Sequence, residues 1–181
     1  MKKILILFLC ILNLFILNGC TMDNTPTKKV ENFLNSYRNL DEKVITQMNE
    51  IVNDDILMDE VQREKYKNIL KKQYQDLIYK IKDEKIDGDN ALVTVEIEVY
   101  DFYKVTKDSD NFYQENQDKF KDENGNITQS KFIDYRLQKL KENKEKVKYT
   151  IDFNLRKVDN IWVLEEITDS IRQKIHGLYA Y

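Results

Sequence analysis

The spacing of the apolar residues changes from helical to alternating near residue 86, and the change limits the folds open to this chain. Before that point, three stretches carry apolar residues three or four positions apart, as in helices with one buried side. The first begins at Thr25-Pro26, where threonine caps a helix and proline suits its first turn. The second begins at Asp41, and the third, after Asp55, is predicted to run through Ile81.

Beyond residue 86 the apolar residues alternate with polar ones, which is typical of strands with one buried face. The alternation runs from Ala91 to Val99 and again from Val147 to Leu155. Val158-Asp159-Asn160-Ile161 predicts a tight hairpin turn, and Trp162 to Ile167 is predicted to return as the partner strand. Helices followed by antiparallel strands predict an α+β fold, with the N-terminal helices packed on the sheet.

The stretch between the two long strands carries weaker signals. The alternation slips after Val99, which indicates a β-bulge or a sharp bend. Residues 106–126 are polar and predict a long loop, followed by a fourth helix from about Thr128. A short last helix is expected after Asp169 as its cap. Three aromatic residues are expected to hold part of the loop to the body: Phe112, Tyr113 and Phe120.

Two segments resemble a known superfamily. The helix with Val30-Glu31-Asn32-Phe33-Leu34 after Thr25-Pro26, and the closing hairpin from Val158 to Leu164, are similar to the nuclear transport factor 2-like (cystatin-like) superfamily. More narrowly, they resemble small exported lipoproteins of unknown function from Gram-positive bacteria. The resemblance covers most of residues 26–175 by pattern, with the long loop and fourth helix as additions. It implies a curved sheet that wraps helices into a cone with an apolar pocket.

The N-terminus has the features of a bacterial export signal. Lys2 and Lys3 precede an apolar run from Ile4 to Leu17. At ~1.5 Å per residue this run spans roughly 21 Å as a helix, short of the ~30 Å hydrocarbon core of a bilayer. We therefore expect a cleaved signal rather than a permanent membrane span.

Leu17-Asn18-Gly19-Cys20 resembles the lipobox of bacterial lipoproteins, although Asn18 stands where alanine, serine or threonine is usual. The resemblance implies cleavage between Gly19 and Cys20 and lipidation of the Cys20 thiol. The predicted organisation is a signal peptide over residues 1–19, a lipidated N-terminus and tether over 20–25, and one α+β domain over 26–181. The expected location is the extracytoplasmic face of the cell membrane, held by the lipid anchor.

The predicted tether is short, and its length limits how the domain can sit. Thr21 to Thr25 reach at most ~18 Å when extended. The domain is therefore expected within a couple of nanometres of the lipid surface. Lys28 and Lys29 should lie on its membrane side, and Gly177 farther away.

Composition excludes several classes of site. The formal charge of −3 and the absence of a lysine-rich block argue against a nucleic-acid partner. The chain has 2 cysteines: Cys10 lies in the signal and Cys20 is expected to carry lipid. The exported domain then has no thiol for a disulfide, a nucleophile or a metal site. No G-x-G-x-x-G motif or P-loop is present, so no cofactor is predicted.

The candidate chemical groups each have a simpler interpretation. His176 is the single histidine, and its place beside Gly177 favours a helix-end or surface role over catalysis. Asp122-Glu123-Asn124-Gly125-Asn126 begins like a calcium loop. Ile127 and Ile133 stand where an EF-hand needs glycine and glutamate, so a solvated turn and no metal are predicted.

Tyr100, Asp101 and Tyr103 form the one group that invites an acid–base interpretation, because the superfamily's enzymes place such groups inside the cone. Packing across a strand explains the aromatic residues more simply, so no catalytic residue is assigned. Lysines between 139 and 148 alternate with glutamates and favour a solvated face, with a basic binding patch as the weaker alternative.

These observations favour a non-enzymatic, lipid-anchored domain that binds a protein or a cell-envelope polymer. The alternative is a carrier or sensor of a small apolar ligand in a cone-shaped pocket. An enzyme of isomerase or dehydratase type ranks third. A filled core with an exposed apolar patch would favour the first hypothesis, and an apolar cavity with no ionisable group inside would favour the second. A buried aspartate or histidine that touches a tyrosine in the cavity would favour the enzyme.

Overall fold

The structure is a computed structural model and describes residues 24–54 and 56–181. Gly19 and Cys20, with the whole predicted signal peptide, lie outside the described residues. The described chain folds as N-terminal helices followed by an open antiparallel sheet, which confirms the α+β class. Within these two ranges, no helix is both long enough and apolar enough to cross a membrane.

Three helices precede the sheet: α1 (Pro26–Asn39), α2 (Glu42–Asn53) and α3 (Glu60–Gln75). The predicted start of α1 is confirmed, because the Thr25 hydroxyl accepts the N–H of Lys28 at 3.1 Å. α1 is capped at its C-terminal end by Leu40, whose backbone is left-handed with φ 55°. α3 starts with a capping box, in which Asp59 accepts the N–H of Gln62 and the Gln62 side chain accepts the N–H of Asp59.

The sheet has four antiparallel strands in chain order: β1 (Ile78–Asp87), β2 (Asn90–Tyr100), β3 (Lys146–Val158) and β4 (Ile161–Leu164). β2 pairs with β3 along the whole length of β2, with Asn90 opposite Arg156 and Tyr100 opposite Lys146. The predicted hairpin is confirmed, since Asp159 and Asn160 both have positive φ, as its tight turn requires. Its return strand ends at Leu164, three residues earlier than predicted.

The prediction of helix through Ile81 is wrong. α3 ends at Gln75, and Ile78 begins β1. Tyr79 and Ile81 lie opposite Ile97 and Val95 on the inner face of the sheet, and this pairing outweighs the helical spacing. The register shift in this sheet lies in β1, directly after Ile81. The slip after Val99 therefore marks the end of β2 rather than a bulge.

The predicted loop over residues 106–126 is also wrong for most of its length. α4 (Phe102–Glu115) and a 3₁₀ turn (Gln117–Phe120) occupy it, followed by the predicted fourth helix, α5 (Gln129–Glu142). The aromatic anchors act as expected: Tyr113 stacks on Phe132 with ring centroids 4.3 Å apart. Phe112 likewise stacks on Tyr135 at 4.9 Å, so α4 packs on α5 through aromatic rings.

The last helix, α6 (Asp169–His176), follows the sheet. Its cap is Thr168 rather than the predicted Asp169, because the Thr168 hydroxyl accepts the N–H of Ile171 at 3.3 Å. The inner face of the sheet is covered by side chains of α1 and α3. The buried core joins these groups: Val30, Leu34 and Tyr37 of α1; Leu70 and Tyr74 of α3; Val93, Val95 and Ile97 of β2; Ile151, Phe153 and Leu155 of β3.

Candidate functional site

The end of the sheet where β2 meets α4 is closed by one buried amide side chain, that of Gln73 in α3. Its Nε2 donates to the carbonyl oxygens of Tyr100 at 3.1 Å and His176 at 2.9 Å. Its Oε1 accepts the N–H of Tyr100 at 2.9 Å. Gln73 thus satisfies three backbone groups from β2 and α6. We call Gln73, Tyr100, His176 and Gly177 the junction.

Gly177 occupies a position in the junction that no other residue fits. Its φ is +71°, and an added Cβ would lie 2.0 Å from the Tyr100 carbonyl oxygen and 2.5 Å from Gln73 Nε2. Its own carbonyl accepts the N–H of Tyr103 at 2.7 Å. The close approach of α6 to β2 therefore depends on a missing side chain.

His176 lies at the C-terminal end of α6, as predicted, with its ring against Tyr74 of α3. Its Nε2 lies 3.2 Å from the Tyr74 hydroxyl. Burial lowers the pKa of His176 to about 4, with a smaller contribution from Arg172, and burial raises the pKa of Tyr74. Both side chains are therefore neutral near pH 7. Neither lines the cleft described below, and the pair joins two helices in the core.

Tyr100, Asp101 and Tyr103 do not converge on one another. The buried Asp101 carboxylate caps α4 by accepting the N–H of Lys104 at 3.0 Å, and it accepts the hydroxyl of Tyr181 at 2.5 Å. The bond to Asp101 raises the pKa of Tyr181 to about 12. The bond from Lys104 is that of a helix cap, and the bond from Tyr181 joins a distant part of the chain to it.

The hydroxyl of Tyr100 turns away from Asp101. It donates to Asp76 at 2.7 Å and accepts from the Lys72 ammonium group at 3.0 Å. The Tyr103 ring packs edge-on against Tyr181. Tyr100 therefore has partners of its own, whereas Asp101 and Tyr103 both contact Tyr181.

The acidic turn near residue 122 uses its carboxylate internally. Asp122 accepts the N–H groups of Asn124 and Asn126, each at 2.8 Å, and these bonds lower its pKa. The solvated turn is confirmed, since the side chains of residues 123–126 are exposed. Across residues 24–54 and 56–181, no set of three or more histidine, cysteine or acidic side chains is placed to hold a metal ion.

A cleft of about 800 Å³ opens between α3 and α5. The two helices run side by side in the same direction. Gln62 donates to Ser130 at 3.0 Å near their N-termini, and Lys65 pairs with Asp134 at 2.8 Å one turn later. Four buried apolar side chains form the floor of the cleft: Ile69, Phe102, Leu137 and Leu140. Tyr100 closes the cleft at the junction.

The rim of the cleft carries unpaired positive charge. Lys65 is paired with Asp134, and Lys72 with Asp76, which raises the pKa of Lys72 to about 12. Among the described residues, Lys141 and Lys144 form no ion pair, and both are exposed at the cleft mouth.

Sequence reasoning only partly anticipated this rim. The lysines between 139 and 148 divide into three groups. Lys139 pairs with Glu142 on α5 itself, and Lys146 and Lys148 pair with Glu98 on the outer face of the sheet. Those two confirm the solvated face. Lys141 and Lys144 instead belong to the cleft, together with Lys72 of α3. No spacing within the sequence links α3 to α5, so the cleft itself was missed.

Comparison with known proteins gives little information about the fold or the function of this chain. No family model matches the chain, and no curated protein matches it. A crystal structure of the lipoprotein candidate ycdA from Bacillus subtilis aligns with 75% of this chain and 44% of that chain, at 14% identity and a TM-score of 0.41. The alignment thus spans less than half of that protein. Similarity at this level supports no conclusion about fold or function, and the resemblance to the nuclear transport factor 2-like superfamily stays a prediction.

Proposed function

We propose that this chain is an exported lipoprotein, acylated at Cys20, whose domain binds an acidic segment of a protein partner in the α3–α5 cleft. The observation that carries the proposal is the combination in one cleft of an apolar floor and a rim with unpaired lysines. The domain has no catalytic role in this proposal. The anchor rests on the export signal and on the Leu17-Asn18-Gly19-Cys20 stretch.

The cleft favours a protein segment over a polar envelope polymer. Ile69, Leu137 and Phe102 offer contacts to apolar side chains, which a phosphate or sugar polymer lacks. Lys141 and Lys144 offer charge complementarity to aspartate or glutamate in the same segment. A small apolar ligand inside the sheet is less favoured, because side chains of α1 and α3 fill the inner face.

The anchor is tested by replacing the acceptor thiol. Cys20→Ala should leave an unprocessed precursor and abolish incorporation of radioactive fatty acid, because no thiol is left to accept the lipid. Normal processing of this variant would contradict the anchor. Wild-type protein that incorporates no radioactive fatty acid would also contradict the anchor.

The cleft is tested with two synthetic peptides of equal length and equal leucine and phenylalanine content, one with glutamates and one with glutamines elsewhere. Fluorescence anisotropy should show tighter binding of the glutamate peptide, and Lys141→Glu/Lys144→Glu should weaken it by about tenfold or more at low salt. Lys43→Glu/Lys107→Glu is the matched control, since both lysines are exposed and lie outside the cleft lining.

Two results would contradict the cleft proposal. The first is equal binding of both peptides by the wild-type domain. The second is an equal loss of binding in the control variant, because a general charge effect would then explain the change. Asp101→Asn should leave peptide binding intact, because asparagine caps helices about as well as aspartate.

A further inference from the structure

The β3–β4 hairpin shows three apolar side chains to solvent on its outer face. Val158 lies opposite Ile161, and Val163 lies two residues along β4, whereas the buried Trp162 points to the other face. Their exposed fractions are 40% for Val158, 52% for Ile161 and 41% for Val163. We call these three residues the hairpin patch.

The start of the described chain is attached to this hairpin. The Asn24 side chain accepts the N–H of Trp162 at 3.0 Å and donates to the carbonyl of Asn160 at 2.9 Å. Only three residues lie between Cys20 and Asn24, so four residue steps join them. Four extended residues reach at most ~14 Å, so the hairpin must lie within that distance of the residue expected to carry the acyl chains.

We propose that the hairpin patch of Val158, Ile161 and Val163 rests in the headgroup layer of the membrane that holds the acylated Cys20. This inference rests on the anchor in the proposed function. The headgroup layer is about 5–8 Å thick on each side of a bilayer, so the tether reaches across it. At this depth the apolar side chains of the hairpin patch are removed from water, while the hairpin backbone keeps its hydrogen bonds within the sheet.

A second copy of this chain suits the patch less well. Docking of two sheet edges requires unpaired backbone groups on β4, but Asn24 already occupies the N–H of Trp162 and the carbonyl of Asn160. The connection between α2 and α3 is another exposed apolar surface, with Ile56 88% exposed. Asp54, Asp59 and Glu60 surround Ile56 in sequence, which disfavours contact with an anionic membrane.

Charge contributes little to the proposed docking. Arg156 lies opposite Val163, and Lys28 and Lys29 lie in the first turn of α1, but Asp159 and Asp89 sit at the neighbouring turns. Positive and negative charges are therefore mixed at this end of the sheet. Docking should therefore depend weakly on salt, unlike peptide binding in the cleft.

The test uses the mature lipoprotein in vesicles of phosphatidylethanolamine and phosphatidylglycerol. With Cys20 acylated, an engineered cysteine is the single free thiol, since Cys10 leaves with the signal. Ile161→Cys carries an environment-sensitive dye, and Ile56→Cys and Lys144→Cys are exposed controls. Spin-labelled lipids should quench the dye at position 161 at least about twofold more than at either control, with little effect of salt. Val163→Cys repeats the measurement if Ile161→Cys lowers the melting temperature.

The outcomes separate this inference from the anchor. A protein that stays out of the vesicles and labels at Cys20 would overturn the anchor and this inference together. An acylated, vesicle-bound protein with no excess quenching at position 161 would overturn the docking alone. A dimer in detergent that crosslinks through position 161 would also overturn it, because the patch would then be covered by a second copy.

Discussion

At one end of the sheet, three chain segments meet around the buried Gln73 side chain, whereas at the other end two tight turns meet the start of α1 at the surface. The junction satisfies backbone groups of β2 and α6 inside the protein. The turn end is held by exposed contacts, such as Asn24 with the carbonyl of Asn160 and the Thr27 hydroxyl with Glu84 at 2.6 Å.

Because of this difference, the junction is the rigid end of the sheet, and the turn end is available for contact with other molecules. Buried hydrogen bonds are costly to break because the freed groups cannot reach water, whereas exposed groups are hydrated when a partner is lost. The junction therefore fixes Tyr100 and Phe102 at the closed end of the cleft. The turn end tolerates changes and is free to adapt to a membrane surface.

The largest expected effect comes from Gly177→Ala in the junction. Its Cβ would overlap the Tyr100 carbonyl oxygen and also require a left-handed alanine, so we expect a loss of about 3–5 kcal/mol in the free energy of unfolding. Gly88→Ala at the turn end has φ +58° but open space around the added Cβ, and should cost about 1–2 kcal/mol. Urea denaturation of both variants measures the two losses in the free energy of unfolding. Equal losses would contradict the difference between the junction and the turn end.

The next effect is a pH dependence specific to the junction. Burial lowers the pKa of His176 to about 4, so the unfolded chain binds a proton that the folded chain rejects between pH 6.5 and about 4. His176 therefore contributes stability above pH 6.5 that is lost as the pH falls toward 4, at most about 3 kcal/mol.

His176→Gln keeps a polar partner for Tyr74 but does not titrate. The difference in unfolding free energy between wild type and this variant should therefore change in favour of the variant as the pH falls through this window. A difference that stays constant from pH 7 to pH 4 would show that the histidine titrates normally in the folded protein.

The smallest effect is expected at the turn end. Asn24→Ala removes two hydrogen bonds, one to the exposed carbonyl of Asn160 and one from the partly buried N–H of Trp162. It should cost about 1 kcal/mol, because water replaces the partner of the exposed carbonyl. Asn24→Asp keeps the acceptor for the N–H of Trp162. Its stability should therefore lie between those of Asn24→Ala and wild type. Thermal unfolding measures both, and a loss comparable to that of Gly177→Ala would refute the distinction between the two ends.

The sequence predicted elements well where one pattern was unambiguous. The alternation in β2 and β3, the Thr25-Pro26 helix start and the Asp159-Asn160 turn all match the structure. Residues 78–81 were misassigned because Ile78 and Ile81 fit a helical stripe as well as a strand. Pairing with β2, a contact distant in sequence, decides between the two.

The helix α4 was missed for a different reason. Asp, Asn and Ser residues in positions 106–116 resemble a loop by composition, although Phe112 packs at helical spacing from Val105 and Ser109. The cleft could not be predicted at all, because Lys72 and Lys141 come together only when α3 and α5 pack in parallel. The junction depends in the same way on a glutamine that carried no signal in the sequence.

In the proposed orientation the turn end lies at the membrane and the cleft lies at the far end of the sheet. Ten residue steps along β2 separate Asn90 from Tyr100, or about 33 Å. Energy transfer from a dye at Lys144→Cys or Asp89→Cys to labelled lipids in the same vesicles measures their heights directly. We expect the dye at position 144 to lie more than about 20 Å farther from the lipid surface than the dye at position 89. Equal heights, or the reverse order, would contradict the account.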